Sequence, residues 1–198
     1  MVNRIGLWTG IILTLVLTLC ISFSGAEGSG SPVRASGDLD SDGKEEEYLL
    51  EGNRLIVKEA GEFLWQSPSD WKVDSFVLGD ADNNGTVDLA VALWKTGSFG
   101  TVKPFWEKDE DTSYKNHLFV LKLEGNTFKS LWCSSDLDCP IVSLTIRDVN
   151  SDGLNELVVE EGQYRKVAGE RYALDPDAPL RTTVWQWREW GFGAWSGK

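Results

Sequence analysis

One short pattern occurs three times and constrains this chain more than any other feature. It reads Asp38-Leu39-Asp40-Ser41-Asp42-Gly43-Lys44-Glu45-Glu46, then Asp80-Ala81-Asp82-Asn83-Asn84-Gly85-Thr86-Val87-Asp88, then Asp148-Val149-Asn150-Ser151-Asp152-Gly153-Leu154-Asn155-Glu156. Each copy has an oxygen-bearing side chain at positions 1, 3 and 5, glycine at 6 and a carboxylate at 9. Side chains at 1, 3 and 5 of a tightly curled loop converge on one point, and glycine takes the positive φ that the reversal needs. A backbone carbonyl at position 7 and the carboxylate at 9 can close an all-oxygen shell, which favours Ca²⁺ over Mg²⁺. The candidate ligands are Asp38, Asp40, Asp42, Lys44 and Glu46 in the first loop. In the second they are Asp80, Asp82, Asn84, Thr86 and Asp88, and in the third Asp148, Asn150, Asp152, Leu154 and Glu156. Lys44, Thr86 and Leu154 would contribute carbonyls. Up to three Ca²⁺ ions are expected, most simply in a structural role. The competing reading is three Asx-rich turns without an ion, since Asp, Asn and Gly favour turns in any case.

The loops are not EF-hands, which need a bidentate Glu at position 12 and a helix on each side. Position 12 is Leu49, Val91 and Val159, and the flanking residues alternate or run apolar, as strands entering a core do. In these loops, and in the strands around them over roughly residues 36–161, the sequence resembles the FG-GAP/VCBS repeat family, whose calcium loops also occur in integrin α-subunit propellers. The resemblance implies a β-propeller-like fold, with each loop leading into a blade strand. It also implies a ligand-binding or scaffolding role.

The formal net charge is −12, and ten of the acids are the candidate ligands. Three divalent ions would bring the charge to about −6, and without them the clustered carboxylates repel. An acidic chain with no basic stripe is not a nucleic-acid binder. Of three cysteines, Cys20 lies in the N-terminal apolar run, while Cys133 and Cys139 flank Ser-Ser-Asp-Leu-Asp. A disulfide between Cys133 and Cys139 fits an oxidising compartment, and two thiols are the alternative.

Residues 5–23 are almost wholly apolar behind the single cation Arg4. Nineteen residues suit either a long signal peptide, cleaved after Ser24-Gly25-Ala26, or an uncleaved spanning helix. Residues 1–26 therefore read as a signal peptide or membrane anchor, 27–37 as a flexible linker and 38–198 as the repeat domain. Either way the chain is exported: secreted, or held on the outer face of the cytoplasmic membrane by its N-terminal segment alone.

Strand candidates follow each loop in the same order. They are 45–50, 54–58, 62–65 and 73–78; then 87–94, 118–123, 127–132 and 141–146; then 156–160, 182–187 and 192–195. Trp65, Trp132 and Trp195 recur at the end of the third strand of each unit and read as core markers. The fold expected is all-β, after an N-terminal apolar helix. It comprises three four-stranded antiparallel meanders of propeller-blade type. The third lacks its last strand, which the segment before the first loop could supply by circular closure. A closed three-unit assembly, an open arc and completion by another chain all fit the pattern.

Two insertions, 95–116 and 162–181, enlarge equivalent connections and so fall on one face. Their aromatics Phe105, Trp106, Tyr164 and Tyr172 are the candidate ligand contacts, for a protein or glycan partner outside the cell. Alternatively, the insertions fold back to cap the core. Glu107–Asp111 reads as a solvated acidic run. The function expected is a calcium-stabilised, non-catalytic binding, adhesion or scaffolding module, with oligomerisation open. The alternative is an extracellular polysaccharide hydrolase or its accessory subunit. Against that alternative, the adjacent acids Glu160 and Glu161 point to opposite faces of a strand. The sole histidine, His117, reads as a surface or edge residue.

Overall fold

The computed structural model describes residues 33–100, 103–106, 108 and 111–195. The expected apolar helix, the signal or anchor reading of residues 1–26 and the first part of the linker fall outside these residues. Among the described residues, no helix is long and apolar enough to cross a membrane.

The chain is all-β. The strands are β1 (Val33–Gly37), β2 (Glu46–Glu51), β3 (Arg54–Glu59), β4 (Glu62–Gln66), β5 (Lys72–Gly79), β6 (Asp88–Thr96) and β7 (Tyr114–Glu124). They continue with β8 (Thr127–Cys133), β9 (Ile141–Arg147), β10 (Glu156–Glu161), β11 (Tyr164–Ala168), β12 (Arg171–Leu174), β13 (Arg181–Arg188) and β14 (Gly191–Ala194). Three antiparallel meanders result: β1-β2-β3-β4, β5-β6-β7-β8 and β9-β10-β13-β14. The hairpin β11-β12 adds to the middle sheet through a parallel pairing of Arg171 with Tyr114.

The three four-stranded units expected from the sequence are present, but their phase is shifted by one strand. The strand before each acidic loop pairs with the strand after it: Gly37 with Glu46, Gly79 with Asp88, and Arg147 with Glu156. Each loop is therefore a hairpin connection inside a sheet, not the start of a unit. Two expectations are corrected. Residues 33–37 are not linker but β1, paired with β2 from Val33↔Leu50 to Gly37↔Glu46. The third sheet is already complete, because β9 is its first strand, so β1 does not close it. No closed ring forms among the described residues.

Strand alternation explains the stacking. In β6, Leu89, Val91 and Leu93 face the first sheet, where Tyr48, Leu50, Leu55 and Val57 meet them in one buried cluster. The intervening Ala90 and Ala92, with Leu118 and Val120 of β7, face Leu144, Leu157 and Val159 of the third sheet. The middle sheet is thus buried on both faces. Small residues let the third sheet approach: a Cβ on Gly79 would lie 3.1 Å from Ile146 side-chain atoms. The repeated tryptophans sit on the fourth strand of each sheet or just beyond it. Trp65 packs on the first cluster and Trp132 on the second, while the Trp195 N–H donates to the Val184 carbonyl.

Candidate metal centres and the opposite pole

The three acidic loops share one backbone geometry. Position 4 is left-handed (Ser41 φ 60°, Asn83 62°, Ser151 63°), as is the glycine at position 6 (89°, 88°, 89°). The position-1 carboxylate accepts the N–H groups of positions 5 and 6. The distances are 3.1 and 3.0 Å at Asp38, 2.9 and 2.9 Å at Asp80, and 3.3 and 2.8 Å at Asp148. The position-3 oxygen accepts the position-5 N–H, and the position-5 oxygen accepts the position-7 N–H, in all three loops. These bonds curl the chain so that the side chains of positions 1, 3 and 5 point inward. Carboxylate oxygens of Asp38, Asp40 and Asp42 lie within 4.8 Å of one another, as do those of Asp80, Asp82 and Asp88.

Position 9 carries the most telling feature. Glu46, Asp88 and Glu156 are each 0% exposed. One oxygen of each accepts the N–H of position 2: Leu39 at 2.9 Å, Ala81 at 3.2 Å and Val149 at 3.0 Å. The other oxygen, Oε1, Oδ1 and Oε1 respectively, is buried without a hydrogen-bond partner. An unpaired buried carboxylate oxygen is costly. Burial, with repulsion from Asp82 and Asp80, pushes the Asp88 carboxyl up to about 6. Burial first, then Asp40 and Asp38, also raises that of Glu46. In the second loop, where Asp88 lies within 4.8 Å of Asp80 and Asp82, a bound cation would satisfy the orphaned oxygen, and the donor set of carboxylates, amide oxygens and carbonyls suits Ca²⁺.

The loops differ in charge. In the first, the Lys44 ammonium lies 2.8 Å from Asp42 and 3.0 Å from Glu59, and its hydrogen bond holds the Asp42 carboxyl below its usual value. The third has Asn150 where the others have Asp40 and Asp82. The second and third loops are also joined to each other. Asn83 Nδ2 donates to the Asn155 carbonyl (3.0 Å), the Asn155 N–H donates to Asn83 Oδ1 (2.6 Å), and Asn155 Nδ2 donates to the Asp80 carbonyl (3.1 Å). Positions 4 and 8 lie outside the ligand pattern, so the motif gave no sign of this bridge.

Loops two and three are hydrogen-bonded to each other, and Gly37 at the entry to loop one packs beside Leu78 near the entry to loop two, so the three loops share one pole. The inter-sheet connections and both insertions share the other. The insertions meet as expected, but their tyrosines are committed to that meeting. The Tyr164 hydroxyl accepts the Asn116 N–H and donates to the Leu137 carbonyl, both at 3.1 Å. Tyr164 packs edge-on against Tyr172 and Trp94, and Lys115 lies over both tyrosine rings. Tyr164 and Tyr172 therefore cap the middle sheet instead of presenting free faces. Phe105 and Trp106 do face solvent, at 91% and 68% exposure, in edge-to-face contact at 4.9 Å.

The base of their insertion is fixed. Lys95 is buried with its ammonium on the Gly97 and Phe99 carbonyls, each 2.7 Å away. The Asp111 carboxylate accepts from Ser98 and Ser113; burial opposes its ionisation, but these bonds outweigh it and hold the carboxyl down to about 2. Asp111 is thus a structural acceptor, not part of a solvated run.

Two further expectations change. His117 is fully buried, Nδ1 3.3 Å from the Ser134 carbonyl and Nε2 3.3 Å from Asp136. No disulfide joins Cys133 and Cys139. Cys133 ends β8 against the first core cluster, whereas the Cys139 sulfur takes a contact from Arg181 at 3.6 Å. Glu161 is held by Arg181 at 2.7 Å and Glu160 by the Ser143 hydroxyl at 2.7 Å, so the two acids do not work as a pair. A cavity of about 560 Å³ is lined by Asp138, Cys139, Glu161, Tyr164 and Arg181, and the Glu161–Arg181 ion pair lies in its wall. Compared with family models, curated proteins and solved structures, the chain matches none of them.

Proposed function

We propose that this chain is a calcium-stabilised, non-catalytic binding or scaffolding module of the FG-GAP/VCBS type, in which three blade-like meanders are each clasped by one Ca²⁺. The observation that carries this reading is the set of three buried position-9 carboxylates, each with one oxygen unpaired at the end of an identically curled loop. One such loop would be weak support for an ion; three with the same pattern support it together. The ions would sit within hairpins and act on stability, leaving the opposite pole for recognition. There the Phe105–Trp106 tip, held on a fixed base, is the contact offered to a protein or glycan ligand outside the cell. The apolar residues 5–23 supply export, by secretion or by anchoring.

Thermal unfolding of the full chain in detergent, first in EDTA and then in millimolar Ca²⁺, tests the metal reading. Extracellular calcium modules bind at about 10⁻⁴–10⁻³ M. A ligand held only by the folded state raises the midpoint by mass action. A rise with Ca²⁺ that Mg²⁺ does not reproduce is expected; equal midpoints in EDTA and Ca²⁺ would leave the loops as bare turns.

A further inference from the structure

The bridge between the second and third loops bears on how the proposed sites fill, and so rests on the metal reading above. Asn83 stands between two candidate ligands, Asp82 and Asn84, in the left-handed conformation that asparagine tolerates well. Asn155 stands between the Leu154 carbonyl and Glu156, the residue with the orphaned oxygen. Their side chains exchange three hydrogen bonds with the facing backbone, one of them to the carbonyl of Asp80, position 1 of the second loop. Every one of these bonds thus grips backbone or side chain within one residue of a ligand. At the junction of the first and second loops the corresponding residues are Ser41 and Val87. Neither can supply such a paired bridge, and among the described residues no hydrogen bond joins those two loops.

We propose that the second and third loops form one cooperative pair of Ca²⁺ sites coupled through Asn83 and Asn155, while the first loop fills independently. Ordering one loop of the pair fixes the partner's residue, which then holds the adjoining ligand stretch of the other. The second ion therefore meets a loop already ordered, and positive cooperativity follows without any change of fold. By linkage the effect is reciprocal, each ion raising the other's affinity by the same factor, about tenfold within the range common for coupled sites.

Calorimetric titration with Ca²⁺ of the full chain in detergent tests the pair, in an Asp38→Ala background that removes the position-1 ligand of the first loop. Two sites filling cooperatively are expected. Adding Asp148→Ala, which removes the position-1 ligand of the third loop but leaves the bridge residues intact, weakens the second site about tenfold, as reciprocity requires. In an Asn83→Ala background the same Asp148→Ala change leaves the second site where it was. Two sites that bind but ignore each other, with Asp148→Ala without effect on the second, would overturn the coupling and leave the metal reading standing. No Ca²⁺ binding in the unmutated chain would overturn both. Because Asp148→Ala alone carries the decisive comparison, the result does not hang on Asn83→Ala folding well.

Discussion

Replacing Asp88 by asparagine should change the sign of its effect with calcium. In the ion-free protein, Asp88 is buried, faces Asp80 and Asp82, and has one oxygen unpaired. Its carboxyl is pushed from 3.8 up to about 6, a gap that corresponds to at most about 3 kcal/mol at 1.36 kcal/mol per pKa unit. The raised value makes the sign definite. Below about pH 4 the group is protonated folded and unfolded, and no penalty applies. As pH rises through about 6 the folded state must ionise a buried carboxyl, and stability is lost.

Asp88→Asn keeps an oxygen for the Ala81 N–H and turns a donor toward the neighbouring carboxylates. In EDTA at pH 7 the variant should therefore be more stable than the parent, by up to about 3 kcal/mol, or roughly 6–12 °C in midpoint for a domain of this size. Its stability should also lose most of the fall between pH 4 and 7. In saturating Ca²⁺ the order reverses, because a charged ligand has gone. Scanning calorimetry of both proteins across pH, with and without Ca²⁺, reads all of this. An Asp88→Asn protein less stable than its parent in EDTA, with the pH slope unchanged, would refute the claim that this carboxylate is held at a cost.

Other outcomes follow from packing and hydrogen bonding. A Cβ on Gly191 would lie 2.5 Å from the Trp132 indole nitrogen, so Gly191→Ala should cost about 1–3 kcal/mol by overpacking. Urea titration would show a lower midpoint with an unchanged m-value. Tyr164→Phe strands the Asn116 N–H and the Leu137 carbonyl, at about 1–3 kcal/mol for a buried group left unpaired, and should raise hydrogen exchange in β11 and β12 first. Replacing Phe105 and Trp106 together by serine should leave the unfolding free energy within about 0.5 kcal/mol of the parent's, as surface changes do. Pull-down of extracellular partners or glycans should nevertheless be lost, and retention of every interaction would remove the tip from the binding surface.

The loops were legible because their chemistry is local: five of nine positions are set by a curl that closes on itself, and the residues say so. The strands were legible from alternation. Sheet membership was not, because a strand beside an acidic loop pairs equally well, on sequence alone, with the strand before or after it. The polar β1, with its alternating exposed Arg34 and Ser36, reads as no more than a weak strand at the end of a linker until its partner β2 is known. Tyr164 and Tyr172 looked like free aromatics because a parallel contact between hairpin and sheet leaves no periodic trace. His117 misled for a related reason. A polar residue near a strand end suggests an edge, but here the connection 134–140 folds over it and supplies Ser134 and Asp136.

The shifted phase has a consequence for how such a chain can change. Each meander takes its four strands in order, but the middle sheet is extended by β11-β12 from within the third unit. The boundaries between units fall in the connections 67–71 and 134–140, outside every four-stranded ladder. The first meander could therefore be gained or lost without breaking a strand pairing inside the other two. The second and third are tied to each other by the Arg171–Tyr114 pairing and by the Asn83–Asn155 bridge, and would have to be copied or lost as one block.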